Sequence, residues 1–390
     1  MQADFDIVIL GAGPVGIEAA FLAAETGRRV ALVDRGGPAA NVRDWGHVRM
    51  FSPFGMNSSD RGRAAVGGPD PDALLTGAEF AEDYLVPLHA ACEARGVATV
   101  TDTVTEVRRA GWPKAAGVGD PARGESPFEV HLACEMLTAA AVLDCTGTYR
   151  NHAGTEWRCC EDGAFPVVPA RRGDREVLWG PLDPATVRGL AGRRVLVAGS
   201  GYTAATDVRA LKRAKAKVVW LTRRPADVPV AAVGDDPLPE RRRLTDEVNA
   251  LATSGKVDWR PGHRVTEACC SPAADEWNVT AVDADGEEIA FEAEDAFAAV
   301  VQDTGFRPDT ALFRELHVHL CYATEGPMAL AASLMGETDC LNTSGGDADL
   351  LRTPEPNFYV LGAKSYGRNS HFLIRTGIEQ VESVLAALRA

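Results

Sequence analysis

Long hydrophobic runs are missing from this 390-residue chain. No apolar stretch approaches the roughly 20 residues that cross a bilayer, so no membrane partner is expected. Basic charge is also scarce, with 40 Lys and Arg against 55 Asp and Glu, a net charge of -15. That disfavours a nucleic-acid partner, which calls for a basic face, and attachment to anionic lipid by charge. Neither CxxC nor HExxH occurs, and nine cysteines are scattered along the whole chain. No metal site and no secreted disulfide framework is indicated. The opening residues MQADFDIVIL lack the basic region of a secretory signal, so the expected location is the cytoplasm.

What remains is a globular composition, 46% hydrophobic and 24% charged. At roughly 150 residues per domain the length suggests about two to three domains. Residues 5–10, FDIVIL, read as a buried parallel strand, followed by GAGPVG at 11–16 and the helical IEAAFLAAETG. The next strand, RRVALVD, ends on Asp34. Each residue type has a physical reason. Gly11 permits the tight turn, Gly13 lets a pyrophosphate approach the backbone, and Gly16 lets helix and strand pack closely. The helix N-terminus offers free N–H groups to phosphates, and Asp34 can accept from ribose hydroxyls.

The plan repeats. RRVLVAGSG leads into GSGYTA at 199–204, with Gly199, Gly201 and Ala204 in the three special places. The strand KVVWLTRR then ends on Arg223 and Arg224 instead of an acid. Guanidinium there suits the 2′-phosphate of NADP, although an Arg pair after a strand is also an ordinary solvated end. VTEV at 104–107 has a counterpart in VTEA at 265–268, and AVLDCTG at 141–147 in AVVQDTG at 299–305. The expected fold is α/β: two Rossmann-like nucleotide-binding domains, each βαβ plus a three-strand meander, the second inserted in the first. The strand-like NFYVLGA (357–363) and a helix over 378–388 would return to the first domain.

Together these motifs resemble the flavoproteins with two dinucleotide-binding domains, which include thioredoxin-reductase-like and flavin-containing monooxygenase-like enzymes. The matching residues are GAGPVG with Asp34, CTG at 145–147, GSGYTA with Arg223 and Arg224, TGFRPD at 304–309, and VLGA at 360–363 before a terminal helix. The resemblance implies FAD in the first domain and NADPH in the second. The domains would run 1–150 for the first part of the FAD domain, 151–298 for the NADP domain with its crossover, and 299–390 for the returning part. It also implies that Thr146-Gly147 and Thr304-Gly305 line the cofactor crevice, and that Thr376 and Gly377 open the helix pointing at the flavin.

The resemblance breaks in two places. Where the family reads Gly-Asp, the Asp holding the ribityl chain, this chain reads Gly362-Ala363-Lys364, and Ser365 or Lys364 would have to substitute. The positions of the reductases' cysteine pairs also hold no cysteine. The neighbouring pairs Cys159-Cys160 and Cys269-Cys270 read as ordinary free thiols, and Cys145 reads as core packing.

Flavin chemistry needs no cysteine when the acceptor is oxygen. RMFSPFGMNSS resembles a monooxygenase segment beside the flavin, so Asn57, Ser58 and Ser52 are candidates for positioning oxygen or substrate; the alternative is a plain surface loop. In YGRNSHFLIRTG, His371 is a candidate acid/base and Arg368 a candidate anion contact. The expected function is NADPH-dependent oxidation of a nitrogen, sulfur or carbon centre of a small-molecule substrate with O2. A disulfide reductase acting directly through flavin and a non-catalytic redox sensor are the alternatives, and assembly as a homodimer is left open.

Overall fold

The computed structural model describes residues 3–153, 171–172, 175–234, 236–271, 276–291, 295–334 and 347–388. β1 (Phe5–Leu10), β2 (Val30–Asp34) and β3 (Ala98–Thr101) are parallel neighbours. Between β1 and β2 lies α1 (Pro14–Ala24), with Pro14 at its first position, where a missing amide costs nothing. Val15 to Ala23 are all buried, as in a helix covered on every side. Successive β1 side chains enter opposite cores. Ile7 and Ile9 join Phe21, Leu143 and Val381; Val8 and Leu10 join Phe128, Phe313 and Phe358.

β4 (Val104–Arg109), β5 (Phe128–Leu132) and β6 (Met136–Asp144) form the antiparallel meander. β6 begins against β5 and continues parallel to β1, from Ala139 beside Phe5 to Asp144 beside Leu10. One strand is thus both the last meander strand and the return strand.

The second unit comprises residues 152–305. Its first described strands, β7 (Arg171–Arg172) and β8 (Arg175–Glu176), pair antiparallel. β9 (Arg194–Ala198), α2 (Tyr202–Arg213) and β10 (Lys217–Thr222) repeat the βαβ plan. β11 (Asp258–Pro261) pairs parallel with β10. β12 (Arg264–Ser271), β13 (Glu276–Val282) and β14 (Glu288–Phe291) make a separate antiparallel meander. β15 (Ala299–Gln302) pairs parallel with β9. The boundary expected after residue 298 is therefore corrected: the hydrogen bonds of β15 belong to β9, and the unit closes at Gly305.

The first unit, residues 1–151 with 306–390, is completed by β16 (Phe358–Val360), parallel to β6, and by α3 (Ile374–Ala387). Its strands run in the order β3-β2-β1-β6-β5-β4, with β16 beside β6. α3 starts earlier than the expected residue 378. Leu373 takes the extended conformation of an N-cap, and Thr376 and Gly377 continue the helix. Among the described residues no helix is long and apolar enough to cross a membrane.

Candidate functional site

In the first unit, Leu10 lies beside both Val33 and Asp144, and Val360 beside Asp144. The Gly-rich turn, Asp34, Thr146-Gly147 and Gly362 thus all follow the C-terminal ends of neighbouring parallel strands, where ligands bind in open α/β sheets. Gly11 has φ +96°, and a Cβ there would sit 2.6 Å from the Cys145 carbonyl oxygen. A Cβ on Gly16 would collide with the Gly11 carbonyl. Gly13 is the extended N-cap of α1, with no side-chain cap and open space where a Cβ would be. Asp34 closes the turn. Its Oδ2 accepts from Ala12 N–H (2.9 Å) and its Oδ1 from Gly36 N–H (2.7 Å).

Thr146 is exposed and hydrogen-bonded to its surroundings. It donates to Asp144 Oδ1 (2.6 Å) and accepts from Lys364 Nζ (2.9 Å). Gly147 follows with φ +67°. Lys364 also pairs with Asp144 Oδ2 at 2.7 Å, and both side chains are buried. Gly362 has φ +69°, donates its N–H to Gln380 Oε1, and lies against Val15. Ser365, expected to help hold a cofactor, is fully buried. Its hydroxyl donates to the Gly362 carbonyl (2.8 Å) and accepts from Gln380 Nε2 (3.0 Å). Both candidate replacements for the missing Asp, Lys364 and Ser365, are therefore committed inward.

Thr376 and Gly377 are buried in the first turns of α3; a Cβ on Gly377 would be 2.5 Å from Val15 Cγ2, so close helix packing requires glycine there. Asn57 is 2% exposed, with Oδ1 accepting from Ser52 Oγ (2.9 Å) and Nδ2 donating to the carbonyls of Ser52 and Pro53. Ser58 donates to the Phe54 carbonyl and accepts from Arg63. These side chains brace their own loop. Arg368 is exposed, and His371 is half-buried with no hydrogen-bond partner for Nδ1 among the described residues. No hydrogen bond joins either to Asn57 or Ser58 among the described residues.

A buried acid on α1 gives no signal in the sequence. Glu18 on α1 is fully buried and accepts from Tyr84 Oη (2.5 Å), Ser59 N–H (2.9 Å) and Ser59 Oγ (2.7 Å). Burial raises its carboxyl above the usual range. Burial also pushes up the Cys145 thiol, as core packing implies. Cys321 goes the other way: hydrogen bonds from Thr324 and from the Thr324 and Ala323 amides hold its thiol below the usual range.

In the second unit, Gly199 has φ +139°, and a Cβ there would collide with the Asp303 carbonyl. Gly201 is the extended, uncapped start of α2, with open space around it, and Ala204 is fully buried. Trp220 Nε1 donates to the Gly199 carbonyl (2.7 Å) and braces the turn. Arg223 and Arg224 follow β10, both exposed and both without an ion pair among the described residues. Thr304 donates to the Ala153 carbonyl (2.8 Å), and Gly305 has φ +91°. Cys159 and Cys160 lie outside the described residues. Cys269 is disulfide-bonded, not the free thiol expected.

No family model and no curated protein matches the sequence. Solved structures do. Bacillithiol disulfide reductase Bdr from Bacillus cereus is similar with TM-score 0.69 and 16% identity, covering 98% of each chain. Thioredoxin reductase from Lactococcus lactis gives TM-score 0.64 and 16% identity, covering 99% of this chain and 98% of that one. The flavin-containing monooxygenase from Stenotrophomonas maltophilia gives 0.62 and 19%, covering 100% and 99%. The chain shares the fold of these structures. In this fold each Gly-rich turn lies at its own sheet's C-terminal edge, as both do here. At these identities the likeness is one of fold, and chemistry has to be argued from the residues.

Proposed function

We propose that the chain is an NADPH-dependent FAD oxidoreductase, monooxygenase-like, oxidising a nitrogen, sulfur or carbon centre of a small molecule with O2. The supporting observation is one turn built twice with opposite charge beside it: Asp34 at the first, Arg223 and Arg224 at the second.

A dinucleotide pyrophosphate fits both turns. Gly13 and Gly201 leave the backbone open, and the amides at the uncapped starts of α1 and α2 point a positive dipole end there. Asp34 is suited to the ribose hydroxyls of FAD, and the two exposed guanidinium groups to the 2′-phosphate of NADPH. Gly11, Gly16, Gly199 and Ala204 act by being small, and Thr146-Gly147, Thr304-Gly305 and Gly362 by shaping the adjoining turns. The ribityl contact has no side-chain donor at Ala363, Lys364 or Ser365, so it falls to backbone or to other residues. FAD, when bound, would accept a hydride from NADPH and pass electrons to the acceptor. Arg368 and His371 remain the candidates for an anionic substrate group and for proton transfer.

Anaerobic mixing with NADPH or NADH, then with air, tests this reading. NADPH should reduce the flavin faster than NADH, and air should then yield peroxide when substrate is absent. No flavin reduction by NADPH overturns it. A second reading, reduction of a small disulfide directly through flavin, is favoured by the likeness to the bacillithiol disulfide reductase. It requires NADPH-driven disulfide reduction in the same anaerobic assay.

A further inference from the structure

Two carboxyl groups are buried together at the second Gly-rich turn. Asp207 projects from α2 and is 1% exposed; Asp303 follows β15 and is 8% exposed. The four oxygens divide evenly. Asp207 Oδ1 accepts from Leu182 N–H (2.9 Å), and Asp303 Oδ1 accepts from Gly180 N–H (3.0 Å). Each Oδ2 is buried and has no donor among the described residues. Asp207 Oδ2 and Asp303 Oδ1 converge on the point that a Cβ on Gly180 would take, and two ionised carboxylates so placed repel unless a proton lies between them. Gly180 lies directly over the pair: a Cβ there would collide with Asp207 Oδ2 and come within 2.5 Å of Asp303 Oδ1.

We infer that Asp207 and Asp303 hold a proton between them, and that this shared proton fastens the 180–182 segment and positions the Gly199–Gly201 turn for its dinucleotide. The connections are direct. Asp303 donates its N–H to the Ala198 carbonyl, and its own carbonyl fills the space beside Gly199. Asp207 belongs to the helix that the turn opens. The 178–182 segment is further tied to β15 through Leu178 N–H to Val300 and Gln302 N–H to Leu178. Both aspartates are therefore positioning residues, and this role rests on the NADPH reading of the turn.

Other charged and titratable groups on these elements are engaged elsewhere. His152 stacks on Trp179, Asp183 caps the helix after Leu182, Tyr202 lies near Arg241, and Arg209 faces Glu247. None forms an ion pair with either carboxyl. Burial pushes Asp207 up to about 7, and burial with the neighbouring carboxyl raises Asp303 well above the usual range. A folded-state pKa above the unfolded one means the native state keeps protons that the unfolded chain has released. The pair's contribution is thus full below the unfolded value near 3.8 and is lost as pH rises through neutrality and beyond. Loss of the shared proton leaves two buried like charges, whose repulsion loosens the segment and the turn.

Asparagine mimics the protonated member: Oδ1 keeps the backbone amide, and Nδ2 donates to the partner's Oδ2. The test compares wild type, Asp303→Asn and Asp207→Asn at about pH 7 and pH 9, by thermal midpoint and by calorimetric binding of 2′,5′-ADP. Groups titrating elsewhere act equally on all three proteins, so the difference is the readout. The wild-type midpoint should fall across this range more steeply than that of either variant. Wild-type affinity for 2′,5′-ADP should drop about tenfold, the equivalent of one pKa unit of linkage, while the variants hold theirs. Variants with the full wild-type slope, or wild-type binding equal at both pH values, would overturn the proposal. Two variants guard against one failing to fold. If 2′,5′-ADP binds none of the proteins at either pH, the nucleotide reading fails, while the midpoints still report on the proton.

Discussion

Lys364 and Asp144 form an ion pair closed off from solvent, Nζ to Oδ2 at 2.7 Å, joining the end of β6 to the segment after β16. Thr146 completes it, donating to Asp144 and accepting from Lys364. Removing one member of such a pair leaves an uncompensated buried charge, at a cost of about 3–5 kcal/mol. Lys364→Met should lose stability of that order in urea unfolding of the whole protein. Asp144→Asn combined with Lys364→Met should recover a large part of the loss, because no charge then stays buried. A double variant as unstable as the single one would assign the cost to packing.

The Gly-rich turns, Asp34 and the return strands were legible because their logic is local: spacing of a few residues fixes what must be small or acidic. The ion pairs and carboxyl clusters were not, because their partners are remote in the chain. Lys364 and Asp144 are 220 residues apart, and Tyr84 and Glu18 are 66 apart. Nothing at Lys364 itself signals that it turns inward. The bonds that Asn57 and Ser58 make within their own loop are hidden in the sequence for a related reason. A short polar side chain in a loop either faces a ligand or bonds its own backbone, and its neighbours in sequence are the same in both cases.

Gly16 bears on the Gly11 carbonyl, and a methyl group there has nowhere to go. Gly16→Ala should displace α1 from the turn, costing about 1–3 kcal/mol by overpacking. The consequence for function exceeds the loss of stability, since the first-turn amides would no longer converge on a phosphate. The expected product is folded protein, by circular dichroism, purified without the yellow absorbance of flavin. Retention of a full flavin complement would separate this turn from cofactor binding.

Arg223 and Arg224 follow β10 and form no ion pair among the described residues, so replacing them removes none of those pairs. Arg223→Ala and Arg224→Ala should leave thermal stability almost unchanged. Each lost charge-assisted contact to a 2′-phosphate is worth about 1.5–3 kcal/mol. The KM for NADPH should therefore rise roughly tenfold or more in at least one variant, with kcat little altered. The KM for NADH, which has no 2′-phosphate, is the internal control. A parallel rise for both nucleotides would point to damage to the turn instead of lost recognition.

Glu355 is held between two buried guanidinium groups, Arg109 at 2.9 Å and Arg123 at 2.8 Å, and also accepts from His317 N–H at 2.9 Å. Burial alone would raise its carboxyl, but the two arginines and the amide outweigh it, and the net shift is downward. A depressed folded-state pKa gives stability that is present above the unfolded value and is lost as pH falls through the folded one. Glu355→Gln keeps the shape and removes the charge, leaving both guanidinium groups buried without a counter-ion. At neutral pH the variant should be less stable by about 3–5 kcal/mol. As pH falls below about 4, wild type should lose this advantage and the two urea midpoints should converge. Midpoints that stay apart at the acid end would show that Glu355 acts there through shape and hydrogen bonding, with its charge contributing little.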